Sequence, residues 1–222
     1  MKPGFWGLFV RKERWGLSWR GWLVSVVAVL LVGFFVFFEI HPFLAVTHRE
    51  NSNVLVVEGW VHEYATIAAV REFNDGHYQQ VYTTGGPVDG LPEYVNDFQT
   101  SASVGADLLK KDGLSDHLIQ MVPSHVMDRD RTYSSAVALR NWFHDHNVSV
   151  QSFNVLTEDA HARRTWLLFQ EAFGKDVKVG IISIPDPGYD ATHWWRYSEG
   201  VRDMIGEGLA YLYAKFFFWP KS

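Results

Sequence analysis

Glycines and polar or charged residues follow four apolar segments that have the composition of buried strands. In chain order these residues are Glu58 and Gly59, Gly85 and Gly86, Arg131 and Thr132, and finally His161, Arg163 and Arg164. Parallel strands end at one edge of a sheet, and ligands bind in the crevice beyond that edge. The four groups are therefore expected to meet at one site.

The residue types in these groups favour an anionic ligand. Glycines such as Gly59, Gly85 and Gly86 allow a backbone to approach a ligand closely. Arginine side chains and the free N–H groups of a helix N-terminus both bind phosphate. We therefore expect further ligand contacts from the side chains at the starts of two predicted helices, which are Arg131, Thr132, Arg163 and Arg164.

Proton transfer is the chemistry that the remaining two side chains suggest. His161 lies in the first turn of a predicted helix, and Glu58 follows a strand across the crevice. Histidine transfers protons near neutral pH, and a carboxylate either orients it or acts as the base. The combination predicts hydrolysis or transfer at a phosphate or phosphoester. Purely structural roles remain open for some of these residues. Gly85-Gly86 could form a tight turn, Thr132 could be a helix N-cap and Arg163 could be a solvated surface charge.

Several reaction classes are excluded by what the sequence lacks. It contains no cysteine, which excludes disulfides, zinc–thiolate sites and cysteine nucleophiles. No G-x-S-x-G, H-E-x-x-H, G-x-G-x-x-G or P-loop motif occurs. His144 and His146 are two apart on a predicted helix and face different directions, so we predict no metal site. No motif identifies a cofactor, and the net charge of −5 argues against a nucleic-acid partner.

Short β-branched segments alternate with longer amphipathic ones along residues 53–222. Strands are expected at 54–57, 80–84, 118–122, 153–156 and 177–184. Helices are expected at 63–75, 101–111, 132–146, 160–173 and 194–216. This alternation predicts an α/β fold, a Rossmann-like doubly wound parallel sheet of about five strands.

The last predicted helix has one apolar face, and we expect Phe216 on that face to pack the helix on the sheet. Its members are Val201, Met204, Ile205, Leu209, Leu212 and Phe216. For residues 217–219, packing in the core and contact with a membrane interface remain equally open.

Residues 21–38 form a run of 18 without a charged side chain. A helix of that length crosses most of a hydrocarbon core about 30 Å thick. The run is longer than the apolar region of a signal peptide, and it has no clear cleavage site. It also lacks the polar stripe of a surface helix. We therefore predict one N-terminal transmembrane helix that binds the protein to a membrane.

The charges before this run predict its orientation. The first 20 residues contain five basic side chains and one acidic one. The positive-inside rule then keeps the N-terminus in the cytoplasm and places the chain from residue 40 onward outside. The predicted organisation is a cytoplasmic basic segment at 1–20, a transmembrane helix at 21–39, a linker at 40–52 and an α/β domain at 53–222.

Residues 53–216 resemble the SanA/YdcF/ElyC family of bacterial envelope proteins. The resemblance rests on a Val-rich strand before Gly59, a strand that ends in Thr84-Gly85-Gly86, and an Arg131-Thr132 helix start. A Thr-x-x-x-His-x-x-Arg motif follows, formed by Thr157, His161 and Arg164. Two further segments, 56–61 and 194–202, look like one branch of that family.

The resemblance implies a YdcF-like domain of Rossmann type behind a single helix in the inner membrane. It also implies a role in cell-envelope or peptidoglycan biogenesis. Many members have Ser-Glu-Ala where this chain has Thr100-Ser101-Ala102. Either a carboxylate is missing from the site or Glu58 replaces it.

Two functions follow as expectations, and the sequence leaves open whether there is a reaction. The first is a membrane-anchored envelope-maintenance protein that acts on or binds a phosphorylated envelope precursor or lipid carrier. The alternative is a non-enzymatic regulatory module at the membrane that binds a nucleotide or cofactor.

Overall fold

A computed structural model describes residues 18–88, 95–126 and 130–220 of the 222-residue chain. Most of the basic segment predicted at 1–20 lies outside the described residues. The chain divides into two compact units, Met1–Glu39 and Ile40–Ser222.

The first helix, α1, runs from Trp19 to Leu44 and has 26 residues. None of its side chains before Leu44 is buried. A helix this long and apolar is able to span a membrane, and its composition explains why: between Arg20 and Glu39 there is no charge to keep it in water. The sequence prediction of one N-terminal apolar helix is confirmed.

Five strands and five further helices alternate along the described residues of the second unit. The strands are β1 (Val54–Glu58), β2 (Gln80–Gly85), β3 (Ile119–Pro123), β4 (Ser152–Glu158) and β5 (Lys178–Ile184). The helices are α2 (Glu63–Asp75), α3 (Ser101–Lys111), α4 (Arg131–Asp145), α5 (Ala162–Phe173) and α6 (Ser198–Phe216). The α/β class predicted from the alternation is confirmed.

The strands form one sheet in the order β3-β2-β1-β4-β5, and all pairs are parallel. β1 lies at the centre and is buried along its whole length, as its apolar sequence predicts. The order reverses beside β1, because the chain continues to β2 on one side and later returns to β4 on the other. The carboxyl ends of β1 and β4 therefore face a crevice.

Each face of the sheet has its own hydrophobic core. On one face α4 and α5 cover the strands, with Leu139, Phe153 and Phe169 fully buried. On the other face α2 and α3 do so around Leu55 and Leu109. A third, smaller cluster joins Leu44 and Met204, which places the end of α1 against α6 within the second unit.

Residues 40–52, which the sequence suggests are a linker, contact the domain. Leu44 is buried, and His48 pairs with Ile181 in an antiparallel bridge beside β5. The Arg49 guanidinium donates two hydrogen bonds to the Glu72 carboxylate, at 2.8 and 2.9 Å. This segment is therefore packed against the sheet and α2.

Two helices begin later than the periodicity predicts. β4 extends through Glu158, and a 3₁₀ turn from Asp159 to His161 precedes α5. The helix predicted at 194–216 is divided into a 3₁₀ segment, Ala191–Arg196, and α6. The division occurs at Tyr197, whose extended backbone precedes the first residue of α6.

The expectation that Phe216 packs the last helix on the sheet is wrong, and most of the apolar face is exposed. Met204 is fully buried and Val201 is half-buried. The exposed members are Ile205, Leu209, Leu212 and Phe216, and Phe216 has 61% of its surface exposed. The helix covers the carboxyl edge of the sheet with a different side, which includes Glu207 and Ala210.

Candidate functional site

A cavity of about 960 Å³ lies at the carboxyl edge of the sheet. Glu58 at the end of β1 and Glu158 at the end of β4 both line it, so it occupies the crevice where the strand order reverses. The start of α4 and the inner side of α6 form further walls. The topology therefore places the cavity where doubly wound sheets bind ligands.

His161, Arg164 and Glu207 form a hydrogen-bonded cluster at one wall of this cavity. The His161 Nδ1 atom lies 3.0 Å from Glu207 Oε1 and 2.9 Å from an Arg164 nitrogen. Arg164 donates two hydrogen bonds to the two oxygens of Glu207, at 2.8 and 3.0 Å. The 3₁₀ turn positions the imidazole, while α5 and α6 supply its two partners.

The partners of Nδ1 bear on which imidazole nitrogen has a free lone pair. Arginine only donates hydrogen bonds and an ionised carboxylate only accepts them, so Nδ1 either donates to Glu207 or accepts from Arg164. We assign the Nδ1 proton of His161 to the hydrogen bond with Glu207, the tautomer in which Arg164 donates to Glu207 alone. The Nε2 atom is then the proton acceptor of the neutral ring. Nε2 is buried and has no hydrogen-bond partner among the described residues.

Glu58 is an acidic group that lies close to this nitrogen. Its Oε2 atom lies 3.7 Å from His161 Nε2 and accepts a hydrogen bond of 2.9 Å from the Thr165 hydroxyl. Only 2% of Glu58 is exposed. A buried carboxylate at this distance stabilises positive charge on the imidazole after it takes up a proton.

Glu207 is held in its charged form. Burial alone would raise its pKa, but the hydrogen bonds of His161 and Arg164, with the positive charges of Arg164 and of the protonated imidazole, outweigh burial and lower the pKa to about 2. Burial likewise opposes the charge of Arg164, yet the hydrogen bond and charge of Glu207 leave its pKa above the ordinary value. The orienting group behind His161 is therefore an anion throughout the physiological range.

The opposite wall has features that suit an anion. Thr84 at the end of β2 is fully buried, and its hydroxyl has no hydrogen-bond partner among the described residues. Gly85 follows with φ of 154°, and a Cβ there would lie 2.7 Å from the Ser101 Cβ. Asp130 precedes α4 with φ of 61° and makes no side-chain cap. The N-terminus of α4 thus faces the cavity without that cap.

Carboxylates are numerous around the cavity, and most of them have partners. They are Glu58, Asp130, Glu158, Asp159, Asp186, Glu199, Asp203 and Glu207. Glu158 contacts the His62 ring at 3.0 Å, and Arg202 lies 3.5 Å from Glu199 and 3.3 Å from Asp203. A bound anion is therefore repelled less strongly than the number of carboxylates implies. No group of three metal-ligating side chains occurs within the described part of the chain.

Asp159 connects the cavity to the segment that follows the apolar run. Its carboxylate contacts His41 Nε2 at 2.9 Å and accepts a hydrogen bond from the Tyr189 hydroxyl. Burial and the neighbouring Asp159 raise the pKa of Tyr189, so the tyrosine remains a donor. Asp159 also has φ of 30°, which is unusual for a residue other than glycine.

The structure brings most of the predicted site residues to the cavity. Those that line it are Glu58, Gly85, Gly86, Arg131, Thr132, His161 and Arg164. Thr132 is not an N-cap, because that position belongs to Asp130.

Gly59 and Arg163 do not line the cavity. Gly59 packs against α3, where an added Cβ would lie 2.1 Å from the Ser101 carbonyl oxygen. The Arg163 side chain donates a hydrogen bond to the Phe43 carbonyl at 2.7 Å, and its guanidinium lies 4.4 Å from the Phe43 ring centre. Their expected ligand contacts are replaced by packing contacts.

Glu207 is the principal residue that the sequence analysis missed. Its partner His161 is 46 positions away, so no local motif joins them. The available signal was a single carboxylate between Gly206 and Gly208 in an otherwise apolar part of the last helix. An isolated acidic side chain in such a setting usually has a specific buried partner.

The chain was compared with known proteins at three levels. No protein-family model, no curated protein and no solved structure matches it.

Proposed function

We propose that this protein is a membrane-anchored component of bacterial cell-envelope maintenance. Its α/β domain binds a phosphorylated envelope precursor or lipid carrier and hydrolyses or transfers the phosphoester. The apolar helix α1 supports the anchor, and the basic residues before it support a cytoplasmic N-terminus with the domain outside. The motifs shared with the SanA/YdcF/ElyC family support the role in the envelope.

The observation on which the proposed reaction rests is the unpartnered Nε2 of His161. In hydrolysis, a water oxygen bonds to phosphorus while the bond from phosphorus to the leaving oxygen breaks. Nε2 accepts the proton of that water, and the leaving oxygen takes up a proton from the resulting imidazolium or from solvent. Glu207 orients the ring through Nδ1, and Glu58 stabilises the imidazolium. In a transfer reaction, an acceptor hydroxyl replaces the water.

The phosphate is expected to bind between Thr84, the Gly85-Gly86 backbone and the start of α4. The buried Thr84 hydroxyl supports this placement, because a buried donor without a partner costs free energy unless a ligand satisfies it. Arg131 and Thr132 line the same part of the cavity. This assignment can be tested without knowledge of the rest of the ligand.

Thr84→Val is expected to weaken phosphate binding and to stabilise the ligand-free protein. Loss of one hydrogen bond to a charged ligand corresponds to about tenfold weaker binding of inorganic phosphate or a phosphomonoester. The ligand-free variant should gain about 1 kcal/mol in the free energy of unfolding, since an unsatisfied hydroxyl is removed. Calorimetric titration and denaturant unfolding of the full chain in detergent measure the two effects.

Thr83→Val is the matched control. The Thr83 hydroxyl is also buried without a partner among the described residues, but Thr83 does not line the cavity. It should give the same gain in stability and leave phosphate binding unchanged. Equal affinities of Thr84→Val and the unsubstituted protein, or no binding of phosphate by either, would contradict the proposed site.

A regulatory module that binds a nucleotide or cofactor without turnover is the second candidate. It is favoured by Trp60, which lines the cavity with its indole 4.7 Å from the His161 ring and provides an aromatic surface for a base. Thermal-shift measurements of the full chain with nucleotides and with phosphorylated envelope precursors separate the two functions. Stabilisation by a nucleotide without release of phosphate would favour the second.

A further inference from the structure

Helix α6 and the residues that follow it expose an apolar surface on the second unit. We define the α6 surface by its exposed members, which are Ile205, Leu209, Leu212, Phe216, Phe217 and Trp219. Their exposed fractions range from 48% at Leu212 to 84% at Trp219. Contiguous apolar side chains of this size and exposure mark an interaction site on a folded protein.

We propose that the α6 surface lies in the interfacial region of the lipid bilayer. The other side of the same helix faces the cavity through Glu207 and Ala210. One side of α6 therefore contacts the rest of the domain, whereas its apolar side is exposed. Such a helix, with Phe, Leu and Trp on its exposed side, is typical of membrane-surface segments.

The charges of this stretch favour lipid over a protein partner. From Gly208 to Pro220 there is no acidic residue, although the chain as a whole has a net charge of −5. Lys215 is the basic residue of the stretch, and it is exposed. Trp219 is the most exposed of these aromatic residues, and tryptophan prefers the headgroup level. An acid-free, aromatic surface with a lysine suits an anionic bilayer.

The position of the end of α1 also supports contact between the α6 surface and lipid. Ile40 and Phe43 follow the apolar run that ends at Phe38, and both contact α6. A Cβ on Gly208 would lie 3.6 Å from the Ile40 Cδ1 atom, and the rings of Phe43 and Tyr211 are 5.3 Å apart. Phe43 is itself 42% exposed. The α6 surface therefore adjoins the last turn of α1, which belongs to the second unit.

The absence of cysteine allows a direct test on the full chain. Leu212→Cys is labelled with an environment-sensitive fluorophore, and the protein is reconstituted into vesicles of phosphatidylethanolamine and phosphatidylglycerol. Val104→Cys on α3 is the matched control, because Val104 is 44% exposed and Leu212 is 48% exposed. Lipids with brominated acyl chains then serve as quenchers.

We expect brominated lipid to reduce the fluorescence of the label at 212 by roughly twofold or more, because interfacial helices bury their apolar side at the acyl boundary. The label at 104 should be unaffected. Equal quenching at the two positions would overturn the proposal. A blue-shifted label at 212 without quenching would also overturn it and would indicate a second protein copy on this surface. Phe216→Cys repeats the measurement one turn further along α6.

Discussion

His161→Ala is expected to abolish function while leaving the protein folded. A positioned general base contributes a factor of about 10² to 10⁴ to a rate, so phosphoester turnover should fall at least a hundredfold. In a strain that lacks the gene and has an envelope defect, the variant should fail to restore the wild-type phenotype at normal protein level. Arg164→Ala should fail likewise, because Arg164 holds the carboxylate that orients the imidazole.

Two further variants show whether His161 acts through proton transfer. His161→Gln is able to retain a hydrogen bond to Glu207 but has no group that takes up a proton near pH 7, so it should be as inactive as alanine. His146→Ala is the control, since His146 is exposed beyond the end of α4 and does not line the cavity. Full rescue by both His161→Ala and Arg164→Ala would refute the role of this cavity.

Glu207→Gln is expected to lower stability in a pH-dependent way. The ordinary pKa of this carboxyl is 4.5, and in the folded protein the pKa is lowered to about 2. A lowered pKa contributes stability that is fully present above the unfolded value and is lost as the pH falls through the folded value. At pH 7 the substitution should therefore reduce the free energy of unfolding by about 3 kcal/mol.

Denaturant unfolding at a series of pH values checks this prediction. The difference between Glu207→Gln and the unsubstituted protein should be constant from pH 7 to about 5 and then shrink towards pH 2. Glu171→Gln on α5 is the matched control, because that carboxylate is exposed and lies outside the cavity. A difference that does not change with pH would mean that the ionised form of Glu207 is not what stabilises the cluster.

The sheet could be predicted because its signals are local. The four apolar residues from Val54 to Val57 indicate a strand buried on both sides, and β1 begins at the predicted residue. Helix α2 was predicted with both of its ends, since Gly76 follows Asp75 at its C-terminus. Sequence alternation also predicts parallel pairing, because strands separated by helices need crossover connections.

The site could be predicted only in part, because its geometry depends on the residue at which a helix begins. Arg163 and Arg164 are adjacent, yet one contacts Phe43 and the other contacts Glu207. Successive residues on a helix point about 100° apart, and the 3₁₀ turn before α5 sets which of them faces the cavity. Periodicity likewise identifies the apolar side of α6 but does not reveal whether protein or lipid lies beside it.

The contact between His161 and Glu207 also has a consequence for the order of synthesis. Ribosomes make the N-terminal strands first, and domains fold as their segments emerge. β1 and β2 can pair early, whereas the orienting carboxylate is supplied by α6, 46 residues after the histidine. The cluster of His161, Arg164 and Glu207 is therefore incomplete until α6 has been translated and, if the domain is exported, has crossed the membrane. A nascent chain with a formed sheet still lacks the carboxylate that the proposed reaction needs.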